Sequence, residues 1–477
     1  MRKYRTVPEN LISEQREFAK KVKDINCRSA KEGNVRYAYV LTFGCQQNEA
    51  DSERIAGMCE SMGYTLCKEP DIADLIIVNT CAIREHAEKK ALSIIGQFKH
   101  LKESKPDMLI GVCGCMVTQE HRKNQIKHSY PYVDFVFGTS SIYRLPGIVF
   151  DKLSKNKRIF CPEEAEYLVA EGMPVARESD FRAWVSVMYG CNNFCTYCIV
   201  PYVRGRERSR SSEDIIAEVG ELVGKGYKDI TLLGQNVNSY GKDAPDEHGN
   251  TFDFADLLER LDKIDGDYYL RFMTSHPKDA SSKLIDVMSR SKHIARQFHL
   301  PVQSGSDRVL TRMNRHYDTS KYLGIVDYMR KKIPDVTLTT DIIVGFPGET
   351  EEDFNATLDI IEKVRFDMIY SFIYSPRKGT LAAEMEDRIP DEVKKARFER
   401  LLELQNSIAL EKNLPLVGKV LKVLCDGESK NNPEVFSGRT EGNKIVMFDK
   451  DIARKGDFVN LKIVRAETFA LYGEAAD

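Results

Sequence analysis

Apolar runs alternate with charged, helix-favouring segments over residues 35–153, where the runs are VRYAYVLTFG, DLIIVNTCA, MLIGVCGC and VDFVFG. Short β-rich runs separated by amphipathic segments are typical of a parallel sheet flanked by helices. This stretch is therefore predicted to form a Rossmann-like parallel α/β domain, preceded by an N-terminal extension over residues 1–34. Residues 154–176 are weakly periodic, contain Pro162 and Pro174, and are interpreted as a linker.

A second alternating array occupies residues 177–409, with the runs RAWVSVMYG, DITLLGQN, YYLRFMTS, QFHLPVQ, VTLTTDIIVG and MIYSFIY. Six β/α units are too few for a closed eightfold barrel, so they predict a partial (β/α)6 barrel. Residues 410–475 change to short strands separated by Gly, Asn and Asp turns, which predicts a small C-terminal β-barrel. The expected fold is α/β, with three domains in series.

The composition sets limits on the class of protein. At 477 residues, 42% hydrophobic and 30% charged, the chain is expected to be a soluble protein of two or three domains. No apolar run approaches the length of a membrane span or a signal peptide, so a cytoplasmic protein without membrane contact is expected. A monomer is expected as well. The net charge of −2 means that any RNA-binding surface must be local.

Twelve cysteines are many for a reducing compartment, and their spacing favours metal ligation. Cys191, Cys195 and Cys198 form a C-x-x-x-C-x-x-C loop directly after a predicted strand. Three thiolates on one tight loop can hold three corners of a cubane iron–sulfur cluster and leave the fourth iron open. The alternative is a zinc knuckle, but zinc usually takes paired C-x-x-C units, and the sequence has no matching second pair.

A second set of cysteines lies at predicted strand ends, each followed by a helix start: Cys45, Cys81 and Cys115. The carboxyl ends of parallel strands share one rim of the sheet, so these thiols can converge on a second cluster. Spacing alone leaves buried structural cysteines as an equal alternative. Cys113 competes with Cys115 because residues two apart on a strand share one face.

The loop Gly190–Cys198 resembles the cluster motif of the radical S-adenosylmethionine superfamily. The resemblance implies that the methionine part of S-adenosylmethionine chelates the open iron, and that an electron from the cluster cleaves the cofactor to a 5′-deoxyadenosyl radical. It also implies a set of cofactor-binding positions: Tyr197, Gln235, Asn236, Gln303, Ser304, Asp341 and Val344. Gln235 and Asn236 depart from the family's Gly-Gly-Glu pattern, so a purely structural role at the strand end stays open, as it does for Asp341. No catalytic residue is assigned beyond the cluster ligands, and His276 receives no role.

Three further segments resemble the methylthiotransferases within that superfamily: Thr42–Ser52, Asn79–Cys81 and Gly114–Met116. The resemblance selects Cys115 rather than Cys113, and implies a second 4Fe–4S cluster on Cys45, Cys81 and Cys115. The segments 189–207, 233–240 and 299–307 look like the branch that methylthiolates carbon 2 of isopentenyladenosine next to the anticodon in tRNA. Two S-adenosylmethionine molecules are then expected per product, one as methyl donor and one as radical source.

The resemblance also implies partners. The C-terminal barrel resembles a TRAM RNA-binding domain, so the tRNA anticodon loop, a small electron donor of the flavodoxin or ferredoxin type, and a sulfur-supply or iron–sulfur carrier protein are expected. Arg204 and Arg206, with Arg208 and Arg210, lie at alternate positions and would share one face of an extended segment that could contact the RNA backbone. Local ion pairing with Glu207 or Glu213 is the alternative for each arginine.

Two alternatives to the function remain open, and as a third possibility the N-terminal cysteines could form a redox relay. A methylthiotransferase could act instead on threonylcarbamoyladenosine in tRNA or on a ribosomal protein. A non-enzymatic, zinc-bound RNA-binding protein would use the same cysteines structurally.

Overall fold

The computed structural model describes residues 4–83, 85–161, 167–429 and 432–476, and it divides them into three domains built on separate sheets. Residues 1–3 of the predicted extension, 162–166 of the predicted linker (with Pro162) and 430–431 of the predicted barrel lie outside the described residues. Within the described ranges, no helix is both long enough and apolar enough to cross a membrane.

The N-terminal domain contains a six-stranded parallel sheet with the order β2-β1-β3-β4-β5-β6. Its strands are β1 (Tyr37–Thr42), β2 (Thr65–Leu66), β3 (Leu75–Thr80), β4 (Leu109–Gly114), β5 (Phe135–Phe137) and β6 (Ile159–Phe160). Its helices are α1 (Glu9–Lys31), α2 (Gln46–Ser61), α3 (Glu85–Ser104), α4 (Cys115–Thr118), α5 (Glu120–Ser129) and α6 (Leu145–Lys155). Every residue of β3 and β4 is buried, as expected for central parallel strands covered on both faces.

The predicted N-terminal extension is part of this domain. Helix α1 packs against α6, and its Ala19 and Val22 join the same core as Leu145 and Val149. The linker is shorter than predicted, because α6 continues to Lys155 and β6 then pairs with β5.

The central domain has six parallel strands in two groups of three, with the orders β11-β10-β7 and β12-β13-β14. A bridge between Leu270 and Ile294 joins the two groups, which confirms the predicted partial barrel. The parallel strands are β7 (Arg182–Ser186), β10 (Asp229–Leu233), β11 (Tyr269–Phe272), β12 (Gln297–His299), β13 (Thr337–Val344) and β14 (Met368–Ile373). A small antiparallel pair, β8 (Met188–Tyr189) and β9 (Arg208–Ser209), flanks the cysteine loop.

Helices of the central domain cover the outside of the partial barrel. They are α8 (Ser212–Gly224), α9 (Phe254–Leu261), α10 (Ser282–Arg290), α11 (Asp307–Arg312), α12 (Thr319–Lys332), α13 (Glu351–Val364) and α14 (Asp391–Asn413). The short helix α7 (Val200–Val203) instead packs through Val203 on Ala82 and Cys115 of the N-terminal domain. Apolar residues from both strands and helices, such as Leu232, Phe298 and Phe354, form one continuous core. This core leaves the carboxyl ends of the strands as the edge where loops can carry chemistry.

The C-terminal domain is a closed five-stranded barrel with the order β15-β16-β17-β19-β18. Its strands are β15 (Val420–Glu428), β16 (Val435–Thr440), β17 (Ile445–Asp449), β18 (Phe458–Ala466) and β19 (Leu471–Ala475). The barrel docks near the amino ends of the central strands: Arg182 pairs with Asp426 at 2.7 Å, and Arg271 donates to the Thr440 carbonyl at 3.0 Å. The N-terminal domain contacts the opposite, carboxyl ends of the central strands, where Gln47 donates to Ser186 at the end of β7.

Candidate functional site

The cysteine loop of the central domain is shaped by a glycine at its start. Gly190 has a φ of +73°, and a Cβ there would meet the Arg206 carbonyl oxygen at 2.1 Å, so only glycine lets the loop lie against its neighbour. The Cys191 amide donates to the Gly205 carbonyl at 3.1 Å, and the Cys198 amide donates to Cys195 at 2.9 Å. These bonds fold the loop back on itself, with its three cysteines on one short turn.

The three thiols of this loop lie close enough to influence one another's ionisation. Burial is the main cause that raises the pKa of Cys191 to about 12, with smaller contributions from Glu207 and Cys195. Burial likewise raises the pKa of Cys198, with added contributions from Cys195 and Cys191. Burial therefore favours the neutral thiols of Cys191 and Cys198, and a bound positive centre would favour their thiolates.

A buried arginine already supplies part of that positive charge. Arg315 is only 4% exposed, and its Nη1 lies 3.3 Å from the Cys195 Sγ. The same guanidinium donates to the Pro301 carbonyl at 2.9 Å and lies 3.5 Å from the Tyr197 hydroxyl. This arrangement suits a thiolate-bound cluster, because the guanidinium can donate to an anionic sulfur.

The second triad assembles at the carboxyl edge of the N-terminal sheet. Cys45 directly precedes α2, Cys81 directly follows β3, and Cys115 begins α4. The side-chain Oδ1 of Asn48 lies 3.7 Å from the Cys45 Sγ and 4.0 Å from the Cys115 Sγ. Burial raises the pKa of Cys115 to about 12; Arg204 acts in the opposite direction, and the nearby Cys81 and Cys45 contribute to the rise. The three predicted thiols therefore converge.

Cys113 and Cys115 do not share a strand face, so that prediction is wrong. Strand β4 ends at Gly114, whose φ of +93° turns the chain, and Cys115 is already helical. Cys113 instead packs in the apolar core with Phe135 and Phe137. Cys115 lies with Ala82 at the triad, which leaves Cys113 outside it.

Arg204 does not lie where the sequence interpretation predicts, on a surface that contacts the RNA backbone. It is 3% exposed, and its Nε lies 3.2 Å from the Cys115 Sγ. Its Nη2 donates to the Asp51 carboxylate at 2.7 Å and to the Asn48 Oδ1 at 2.8 Å. A side chain buried among these partners does not reach an RNA backbone. The prediction of a substrate contact for Arg204 is therefore corrected to a contact with the second triad.

The remaining arginines of the segment do not share one face either. Arg206 is exposed, with its guanidinium 4.2 Å from the Phe194 ring centre. Arg208 is buried and donates to the Arg204 carbonyl at 2.7 Å, while Arg210 pairs with Glu171 and Glu218. Of the two predicted RNA contacts, only Arg206 is accessible.

The predicted cofactor residues lie near the carboxyl ends of the central strands. The Tyr197 ring meets Phe346 edge-on, with 6.5 Å between centres. Gln235 and Asn236 follow β10; Asn236 donates to Asp279 at 2.7 Å, and its buried Oδ1 has no protein donor among the described residues. That oxygen is available to a ligand amine.

The four other cofactor residues belong to two adjoining backbone segments. Gln303 has a φ of +69° and donates from its amide to the Asp341 carbonyl at 2.8 Å, while Val344 ends β13. The Asp341 carboxylate lies 3.6 Å from His299 Nε2. Ser304 is fully buried, with its hydroxyl 3.4 Å from that of Thr357, so its side chain has a structural partner.

Two polar residues beside the cysteine loop were given no role on sequence grounds. Lys278 donates to the Asn193 side chain within the loop at 2.5 Å. His276 accepts from the Lys278 amide through Nδ1 at 3.1 Å, and its buried Nε2 has no protein partner among the residues described. A single lysine after a proline carries no pattern that predicts this placement.

The cysteine geometry also bears on the zinc alternative. Among the described residues, no three His, Cys, Asp or Glu side chains converge closely enough to hold a single metal ion. A cluster places a different iron under each thiolate, so its ligands stand farther apart than those of one ion. Among the described residues, this absence is compatible with the wider ligand spacing of a cluster.

Three family models match consecutive parts of the chain. The model for an uncharacterized protein family, UPF0004, matches residues 37–138, the radical SAM superfamily matches 185–361, and the TRAM domain matches 416–476. Among solved structures, the radical S-adenosylmethionine methyltransferase TsrM of Kitasatospora setae is similar with a TM-score of 0.54 and 13% identity, over 73% of this chain and 77% of that one. That likeness concerns the fold alone.

Similar proteins cover nearly the whole chain. The tRNA-2-methylthio-N(6)-dimethylallyladenosine synthase of Acetivibrio thermocellus is 49% identical over 98% of this chain and 96% of its own length. The enzyme of that name from Carboxydothermus hydrogenoformans is 50% identical over 91% of this chain and 98% of its own length. With all three domains present and identity at this level throughout, the chain belongs to the family of tRNA-2-methylthio-N(6)-dimethylallyladenosine synthases, which are radical SAM enzymes.

Proposed function

We propose that this chain attaches a methylthio group to carbon 2 of N6-dimethylallyladenosine (isopentenyladenosine) next to the anticodon in tRNA. The observation that carries the proposal is the meeting of two cysteine triads at one domain interface. Cys115 of the second triad contacts Arg204, which follows the first triad by only a few residues. A reaction that needs both a radical and a carried sulfur requires two such centres close together.

Cys191, Cys195 and Cys198 would hold one 4Fe–4S cluster, and Cys45, Cys81 and Cys115 would hold the other. With three thiolates each, the triads would leave one iron of each cluster without a protein ligand, which is the open position that catalytic clusters require. With the clusters and S-adenosylmethionine bound, the chemistry supplied there is one-electron cleavage of one sulfonium, while a second S-adenosylmethionine gives its methyl group to sulfur.

The chain's own residues would bind and orient the cofactor beside the first triad. Tyr197 packs edge-on against buried Phe346, so its ring offers a fixed apolar wall for the adenine. The unpartnered Asn236 Oδ1 can accept from the amine of the methionine moiety, and Lys278 can pair with its carboxylate. Gln303 and Val344 would line the same edge through their backbone.

The RNA would approach across the TRAM barrel and the outer surface of the cysteine loop. Exposed Arg206 is suited to a phosphate contact, and it keeps its guanidinium over Phe194. The target base must leave its stack to reach a buried site, which costs less in a loop than in a duplex. A small flavodoxin or ferredoxin would supply electrons, and a sulfur or iron–sulfur carrier would replenish the second centre.

Nucleoside mass spectrometry of tRNA from a deletion strain tests this function. We expect methylthio-isopentenyladenosine to disappear and isopentenyladenosine to accumulate, with recovery on complementation by the native gene. Complementation by C191A/C195A/C198A or by C45A/C81A/C115A should fail. If methylthio-isopentenyladenosine persists, and the methylthio form of threonylcarbamoyladenosine or of a ribosomal protein is lost instead, the proposed substrate is wrong. Zinc without iron in the purified chain would support the non-enzymatic alternative.

A further inference from the structure

We infer that Arg204 is a positioning residue that couples the two cysteine triads, because it holds the Cys115 sulfur against the segment that begins at Cys198. The inference rests on the proposed function in one respect, namely that both triads bind clusters. In this role Arg204 raises the reduction potential of the N-terminal cluster. The role is distinct from a contact with RNA or with S-adenosylmethionine.

The first step is the contact itself. The Nε–H of Arg204 points at the Cys115 Sγ from 3.2 Å, and the other edge of the guanidinium is held by Asp51 and Asn48 at 2.7 and 2.8 Å. Asn48 also lies within reach of the Cys45 and Cys115 thiols. The guanidinium therefore has a fixed orientation, and one of its donors is directed at a ligand sulfur.

The second step is the short connection between the triads. Arg204 is the sixth residue after Cys198, and α7 (Val200–Val203) occupies the space between them. Ile199 and Val203 of this segment pack on Ala82 and Cys115 in one apolar cluster. A ligand of one triad and a donor to a ligand of the other are therefore joined by a single packed turn of helix, which leaves little freedom to change their separation.

The third step is the charge. A hydrogen bond from a cation to a cluster sulfur favours the more negative, reduced state, so it raises the reduction potential of the cluster. Arg204 is buried in the domain interface and has Asp51 as its ion-pair partner. Its loss should make the N-terminal cluster harder to reduce, whereas a lysine would retain the positive charge.

Arg177 provides a matched control, because it is also a largely buried arginine at the same domain interface. It pairs with Glu53 of α2 at 2.7 Å and with Glu218 of α8 at 2.6 Å, and it donates to the Trp184 carbonyl. These contacts are with oxygen atoms rather than sulfur. R177M therefore removes ion pairs between the domains without removing a donor to a thiolate.

The experiment uses the full chain with C191A/C195A/C198A as background, so that only the N-terminal triad can bind iron. R204M, R204Q, R204K and R177M are each added, and the iron content and the midpoint of reduction are followed by electron paramagnetic resonance. We expect R204M and R204Q to shift the midpoint to a more negative potential than in the background variant. R204K should keep the midpoint close to that of the background variant, and R177M should leave it unchanged. If R204M does not fold, R204Q carries the same expectation.

The two possible failures are separable. Absence of iron in the background variant before any arginine is changed would refute the second cluster and with it the proposed function. Iron present with the same midpoint in R204M, R204Q and R177M would overturn the role of Arg204 while leaving the function intact. A shift of equal size in R177M would likewise overturn it, because the effect would then come from the domain interface in general.

Discussion

The Nη1 of Arg315 lies 3.3 Å from the Sγ of Cys195, and both side chains are buried in the central domain. The contact has a counterpart in the N-terminal domain, where Arg204 meets Cys115 at 3.2 Å. Each triad thus has one ligand that receives a hydrogen bond from a guanidinium. Outer contacts of this kind orient ligands and tune the bound group, so they should be as sensitive to substitution as the ligands themselves.

Replacement of Arg315 by methionine should weaken iron binding at the first triad by about 10- to 100-fold, the range expected for loss of such an outer contact. Iron content and reductive cleavage of S-adenosylmethionine without RNA would measure the loss. R290M is a suitable control, because Arg290 is exposed and pairs only with Glu259 among its described ion pairs. Full iron content and cleavage in R315M would show that the contact with Cys195 has no role.

Gly114→Ala should destabilise the N-terminal domain. A Cβ at this position would lie 2.4 Å from both the Asn79 Oδ1 and the Thr80 carbonyl oxygen, and the φ of +93° is itself unfavourable for alanine. The strained backbone alone should cost about 1–3 kcal/mol in the free energy of unfolding, with further loss from the clash. Denaturant unfolding of the metal-free chain measures the change.

Gly96→Ala is the matched control for that substitution. Gly96 lies within α3, and a Cβ there would meet nothing within 4 Å. Alanine should stabilise the helix by roughly 0.5–1 kcal/mol. Equal effects of the two substitutions would contradict the claim that Gly114 sets the turn into Cys115.

Arg206→Met should weaken binding of the tRNA anticodon stem-loop. The slope of the logarithm of the binding constant against the logarithm of the salt concentration should become less steep by about one, as expected for one lost phosphate contact. Titrations at several salt concentrations would show both effects. K99M is the comparison, because Lys99 is an exposed residue of α3 on the N-terminal domain. An unchanged salt dependence in R206M would remove Arg206 from the RNA surface.

The stability of the central domain should depend on the ionisation of Asp353 in acid. Burial favours its protonated form, but hydrogen bonds from Arg308, Ser306 and Thr350 outweigh burial and lower its pKa below the ordinary 3.8. Because the folded pKa is the lower one, the stabilisation is complete above pH 3.8 and is lost as pH falls through the folded value. In D353N, the free energy of unfolding should fall less steeply as the pH is lowered below 3.8. An unchanged dependence on acid pH would exclude Asp353 as its source.

The order of strands and helices was accessible from the sequence because each parallel strand is a short apolar run bounded by charged helices. The three-domain architecture is confirmed by the sheets and the closed barrel. Strands β2 and β6 are too short, at two residues each, to show an alternating pattern in the sequence. Cys115 resembles a strand residue because the run of small and apolar residues continues past Gly114, although it begins α4.

The arginine contacts could not be predicted from the sequence. Arg204 and Cys115 are 89 residues apart, and Arg315 and Cys195 are 120 apart, so neither pair leaves a local pattern. Alternate arginines after the cysteine loop indicated an exposed basic face, but α7 and the buried Asp51 draw Arg204 inward. Long-range ion pairs decide such positions, and spacing along the chain does not reveal them.

Iron content of the anaerobically reconstituted chain, compared with C45A/C81A/C115A and with C191A/C195A/C198A, tests the central claim most directly. With two cubane clusters, the native chain should hold about eight irons and each variant about four. Four irons in the native chain that are unaffected by C45A/C81A/C115A would contradict the account, since the thiols that meet at the N-terminal sheet edge would then bind no cluster.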